Sequence, residues 1–115
     1  MEKNLSLQVN GKTFKITLEE NETTEALTKV LPLKIIMNEL NGNEKYYYLD
    51  TMLPSNPIRV EKIESGDIML YGDNCLVLFY EDFKTTYSYT RIGKIENTEG
   101  LKEALGSGNV EMEIN

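Results

Sequence analysis

The chain contains no histidine and no tryptophan, and only one cysteine and three prolines among 115 residues. Without histidine there is no His-based catalytic triad, no His-ligated zinc and no ordinary general base near neutral pH. A single thiol, Cys75, can form neither an internal disulfide nor a cysteine-cluster metal site. Positive charge is also scarce: 12 Lys and Arg stand against 19 Asp and Glu, for a net charge of −7. Such a field repels phosphate, which argues against nucleic acid and anionic membrane as partners. No stretch approaches the ~18 apolar residues a membrane helix needs. The opening, MEKNLSLQV, lacks the apolar run of a signal peptide, so the expected location is cytoplasmic.

What is present describes one globular domain over 1–115, with 40% hydrophobic and 27% charged residues, enough for a core without covalent staples. Leu5, Leu7 and Val9 alternate with Ser6 and Gln8, and Phe14, Ile16 and Leu18 alternate with Lys15 and Thr17. Between them stands Asn10-Gly11, two residues that accept positive φ, so the spacing predicts a hairpin of strands at 4–10 and 12–18. At 22–31 the period changes: Ala26, Leu27, Val30 and Leu31 fall on one helical stripe, with Asn21 or Thr23 as N-cap and Pro32 as the stop.

Strands are expected at 33–40 and 45–49, joined by a polar turn at 41–43. Tyr46, Tyr47 and Tyr48 alternate faces of the second, so at least one points outward. Pro54 and Pro57 mark a loop, and 58–63 reads as a short extended piece. The segment 66–80, GDIMLYGDNCLVLFY, is the most apolar of the chain. Its two runs lack polar alternation and therefore read as strands buried on both faces. A further strand is expected at 91–95. A helix at 98–105 is closed by Gly106-Ser107-Gly108, and Val110, Met112 and Ile114 alternate with acidic residues in a last strand. About eight strands and two short helices suit a mainly β fold, best satisfied by a closed barrel.

Three stretches in order carry a resemblance. Phe14-Lys15-Ile16-Thr17-Leu18, the helix after it and Leu31-Pro32-Leu33 form the first. Gly66-Asp67-Ile68 with the two strands ending in Phe79-Tyr80 forms the second. Arg91-Ile92-Gly93-Lys94-Ile95 before a short helix forms the third. Together, over roughly 12–105, they resemble the bacterial cyclophilin-like family, small relatives of the peptidyl-prolyl isomerase barrel. The resemblance implies a closed eight-stranded cyclophilin-like β-barrel capped by two short helices. True cyclophilins act through an arginine, a glutamine, a histidine and aromatics on one barrel face. Here the only glutamine is Gln8, in the first hairpin, and of two arginines Arg91 lies within the late strand motif, which leaves Arg59. No catalytic residue, metal ligand or cofactor is assigned on these residues.

The candidate ligand-binding residues are Arg59, Phe83, Tyr87 and Tyr89: aromatics in a polar segment, beside an arginine, are the usual makings of a recognition patch. The competing reading is that these rings cover the barrel wall. The favoured expectation is a non-catalytic module that holds a peptide segment or a small molecule. The alternative is a weak peptidyl-prolyl isomerase relying on Arg59. Cys75 heads an apolar strand and is expected to be an inert core thiol. Asp67 is expected to fix a turn through its carboxylate.

Overall fold

The computed structural model describes residues 4–115. Strands β1 (Asn4–Val9) and β2 (Lys12–Leu18) form the expected hairpin, with Asn10 at φ 47° and Gly11 at φ 78° in the turn. The alternation places Leu7, Val9, Phe14, Ile16 and Leu18 on one buried face. Helix α1 (Glu22–Thr28) follows, then β3 (Leu33–Leu40) and β4 (Glu44–Tyr48). Two short strands, β5 (Ile58–Arg59) and β6 (Lys62–Ile63), precede β7 (Asp67–Tyr71) and β8 (Cys75–Phe79). After β9 (Phe83–Lys84), the chain ends in β10 (Ser88–Ile95), α2 (Leu101–Leu105) and β11 (Val110–Ile114).

Eight of these strands close on themselves in the order β2-β1-β11-β3-β4-β8-β7-β10, with β10 pairing back onto β2. All these pairings are antiparallel, so the barrel has no free edge along its wall. The closing strand β10 spans two neighbours. Thr90 and Arg91 pair with β7, the register shifts at Ile92, and 93–95 lie between β7 and β2. That bulge bends the strand across the seam. Gly93 sits at the closest approach, where a Cβ would stand 2.5 Å from the Thr17 carbonyl oxygen.

The helices plug opposite ends of the barrel. Helix α1 joins the end of β2 to the start of β3, whereas α2 joins the end of β10 to the start of β11 on the other side, where Asn10 Nδ2 donates to the Ala104 carbonyl. Asn21 is the N-cap of α1: its side chain accepts from Thr24 N at 2.8 Å and its Nδ2 donates to the Arg91 carbonyl at 2.9 Å. The helix ends at Thr28, three residues short of the expected 31, because Lys29 N and Val30 N bond back to Ala26 and Leu27 in a tightened final turn. Val30 is consequently exposed, and the buried stripe is Thr23, Thr24 and Leu27.

Strands β7 and β8 are buried on both faces, as their unbroken apolar runs predict, except at Tyr71, the last residue of β7, which is exposed. One face lines the barrel interior through Ile68, Leu70, Leu76 and Leu78. The other carries Met69, Val77 and Phe79 and lies beneath a second apolar cluster with Val60, Ile63 and Tyr89. Two excursions of the chain provide that cover. The piece at 58–63 is two strands broken at Glu61, which has φ 63°, and β6 pairs with β9 outside the barrel. Strand β10 also starts at Ser88, earlier than the expected 91, because Ser88 and Tyr89 pair with β5.

Candidate functional site

A trough runs along β8 on the outer barrel wall, and the strand period explains it. On β4, Lys45 and Tyr47 stand opposite the core residues Leu78 and Leu76 and face inward, so Glu44, Tyr46 and Tyr48 face outward. Across the ladder, Tyr46 stands opposite Val77 and Tyr48 opposite Cys75, and Cys75 in turn stands opposite Tyr71 on β7. The middle strand thus offers a floor of short side chains between two walls of tyrosine. Tyr87 and Tyr89 extend the far wall, with ring centroids 6.0 Å and 5.6 Å from that of Tyr71. Tyr46 and Tyr48 meet edge to face at 5.7 Å on the near wall. Five of the chain's seven tyrosines line this groove of about 330 Å³. Tyr48 is 60% exposed, Tyr71 47% and Tyr87 61%, so their rings present apolar surface to water.

The structure brings together three of the four residues singled out from the sequence. Tyr87 and Tyr89 line the groove, and with Phe83 they line an adjoining hollow of about 380 Å³. Tyr89 is only 4% exposed, however, and is a supporting wall packed on Phe79 at 5.5 Å, contrary to its exposed look in a polar segment. Phe83 likewise packs on Phe79, at 5.6 Å. Arg59 does not join them. It stands opposite Ser88 and shares that residue's face, whereas the next residue, Tyr89, takes the other face. Arg59 lines neither the groove nor the adjoining hollow.

Sequence reasoning did not place Tyr71 or Glu44, and left open which tyrosine of the 46–48 run faces out. The available signal was the i, i+2, i+4 spacing of Glu44, Tyr46 and Tyr48 around an inward-facing Lys45.

Glu44 is half-buried at one end of the trough. Burial, and then the charge of Glu39 on the neighbouring strand, push its carboxyl above the usual value. The Cys75 thiol is pushed up to about 11, first by burial and then by Glu44. Tyr89 is pushed up to about 12, again by burial first and Glu44 next. Cys75 is therefore overwhelmingly a neutral thiol at physiological pH, as its sequence context suggested. Native protein at pH 8 is expected to react with a disulfide reagent at least about a hundredfold more slowly than the same chain in denaturant, because the reactive species is the thiolate. Comparable rates in the two states would show that the thiol is accessible and ionised.

At the α2 end of the barrel lies a polar cluster that no sequence pattern announced. Lys45 has 0% of its side chain exposed. Its Nζ donates to Glu39 Oε1 at 2.8 Å, to the Gly106 carbonyl at 2.9 Å and to the Gly108 carbonyl. The Tyr80 hydroxyl donates to the same Glu39 oxygen at 2.7 Å. Burial acts to raise the Glu39 carboxyl, but hydrogen bonds from Lys45, Tyr80 and the Gly42 amide outweigh it and hold the group below its usual value. All three ammonium donors are used, so the cluster ties the glycine loop after α2 to the barrel and leaves no donor of Lys45 for a ligand.

Asp67 behaves as its turn position suggests: its Oδ2 accepts from the Glu64 amide at 2.9 Å. A wider hollow of about 650 Å³ at the α1 end includes Arg91, Glu19 and Glu22. Its buried polar groups are paired among themselves, with Thr23 Oγ1 donating to the Pro54 carbonyl and the Asn56 amide to Thr90 Oγ1. Among the described residues, no group of three or more Cys, Asp or Glu side chains is placed to hold a metal ion.

Comparison with known proteins agrees with this architecture. A search of curated proteins yields no significant match. The solution structure of a hypothetical protein from Archaeoglobus fulgidus is similar, with a TM-score of 0.66 at 21% identity, over 99% of this chain and 94% of that one. At that identity the likeness speaks for the fold. The model of the Cyclophilin-like family matches residues 7–115, essentially the whole barrel from β1 to β11, and the chain belongs to that family.

Proposed function

We propose that this chain is a non-catalytic binding module that holds a peptide segment or a small molecule in the tyrosine trough along β8. The observation that carries the reading is the trough itself, a floor of Cys75 and Val77 between walls of half-exposed tyrosine rings. Tyrosine is well suited to such a wall, since it offers a large flat apolar surface with only two rotatable bonds to order on binding. Tyr87, Tyr89 and the adjoining Phe83 belong to the same surface. Arg59, on the opposite strand face, does not contribute to this reading.

The test is an NMR titration of the full chain with short capped peptides containing proline and aromatic residues, and with aromatic fragments. Shifted amides are expected on β4, on β8 and at 85–89. Tyr48→Ala and Tyr71→Ala are each expected to weaken binding about tenfold, the scale of a lost aromatic contact at a binding surface. Both variants should fold, because about half of each residue's surface is already exposed and neither ring belongs to the barrel interior. Arg59→Ala is expected to leave the titration unchanged and, with the parent chain, to show no acceleration of proline-limited refolding. Acceleration that disappears in Arg59→Ala would overturn the reading in favour of an isomerase.

A further inference from the structure

Glu44 is the one carboxylate that lines both the tyrosine trough and the adjoining hollow. Among the described residues no Lys or Arg nitrogen lies within ion-pair distance of it, although Lys15, Lys45, Lys94 and Lys102 all have acidic partners. The charged group nearest in effect is Glu39, of the same sign. Lys84 stands on the rim of the adjoining hollow and makes no ion pair with Glu44. Asn41, Tyr87 and Tyr89 line both hollows with Glu44, Tyr46 lines the trough two residues along β4, and Tyr48 stands toward the other end, opposite Cys75. A neutral ligand covering this end of the trough would strip water from a carboxylate without compensation, which is costly. A positive charge would be met by the carboxylate and by tyrosine rings beside it, the pairing of groups that recognises ammonium ions. The net charge of −7 draws cations toward the same surface.

From this juxtaposition, and resting on the binding role proposed above, we infer that the ligand presents an organic cation, an ammonium or guanidinium group, to Glu44 among the tyrosine rings. The charge can come from a basic side chain of a peptide or from a small quaternary ammonium compound, and the two share the same chemistry. The trough floor of Cys75 and Val77 then takes the apolar part that follows the charge.

The test pairs each cation with a neutral isostere, in NMR titrations of the full chain at 0.15 M salt, where diffuse attraction to the acidic surface is screened. One pair is choline and 3,3-dimethylbutan-1-ol. The other is acetyl-Ala-Lys-Ala-amide and its norleucine counterpart. At least one cation is expected to shift amides on β4, β8 and 85–89 with about tenfold greater affinity than its isostere. Glu44→Gln, of the same shape, is expected to bring that ratio close to one. The pair with the larger ratio identifies the source of the charge as small molecule or side chain. Equal binding of both members in the trough would overturn the cation and leave the binding module standing. Shifts confined to other faces with all four probes would overturn both.

Discussion

Replacing Lys45 by Met is expected to cost about 3 kcal/mol of stability, a fall in Tm of roughly 10 °C for a chain of this size. The ammonium is fully buried, and its removal leaves the Glu39 carboxylate without its counter-charge, with only Tyr80 and Gly42 donating to it, and takes the Lys45 donor from the Gly106 and Gly108 carbonyls. The loss of a partner, more than the loss of an attraction, sets the magnitude, because an unpaired buried charge pays the full cost of its desolvation. Glu39 keeps about a fifth of its side chain exposed, which places the expected value at the lower end of the usual range. The double variant Lys45→Met with Glu39→Leu is expected to recover part of the loss, since a matched apolar pair leaves no orphaned charge. Denaturant unfolding of the two variants checks this, and a single variant within about 1 kcal/mol of the parent would remove the structural role given to Lys45. The pH dependence follows with a definite sign. The Glu39 carboxyl is held below its ordinary 4.5, so its contribution is present above that value and is lost as pH falls through the lower folded value. Between those limits the parent is expected to lose stability more steeply with acid than Glu39→Gln.

Gly93→Ala is expected to be comparably damaging, at about 3 kcal/mol, the upper end of what overpacking usually costs. The added methyl would stand 2.5 Å from the Thr17 carbonyl oxygen and 3.3 Å from both Ile16 Cγ2 and Leu18 Cα. Two of these atoms belong to the β2 backbone, which cannot turn aside as a side chain can. Relief requires β10 and β2 to separate where the barrel closes, with loss of the neighbouring bond from the Glu19 amide to the Ile92 carbonyl at 2.8 Å. Gly108→Ala provides the contrast. Its added methyl meets nothing within 4 Å and its φ lies outside the left-handed region, so a change within about 0.5 kcal/mol is expected. Thermal unfolding of the two variants side by side measures the difference, and equal Tm values would show that the seam yields. The glycine of the late strand motif is thus explained by closure of the wall, with no catalytic role required.

How far the fold could be read from the residues depended on the range of the forces involved. The Asn10-Gly11 hairpin was legible because its turn chemistry and both alternations lie within 15 residues. The double-sided burial of β7 and β8 was legible because an unbroken apolar run has no face left for water. The cover over their outer face was not, since neither the extended piece expected at 58–63 nor the polar segment 81–89 carries a signal of what it packs against, and both lie over that face only in the folded chain. Arg59 and Tyr89 show the same limit. The grouping of an arginine with aromatics close in sequence was reasonable, yet one residue of offset in the β5–β10 ladder sends Arg59 to the opposite face from Tyr89.

The residues alone were enough to read the absence of histidine and of a second cysteine, the mainly β character, the order of eight barrel strands along the chain and two short helices. Those features follow from residue inventory and from periods of two and 3.6, which act within a single element. It takes the folded barrel to turn Lys45 inward, where it holds the loop after α2, and to bring Tyr48, Tyr71 and Tyr87, from three separate segments, into one trough with Cys75 and Glu44. A strand's own pattern says which residues share a face. Which strand lies alongside, and in what register, is settled by closure of the barrel, and that closure assembles the trough.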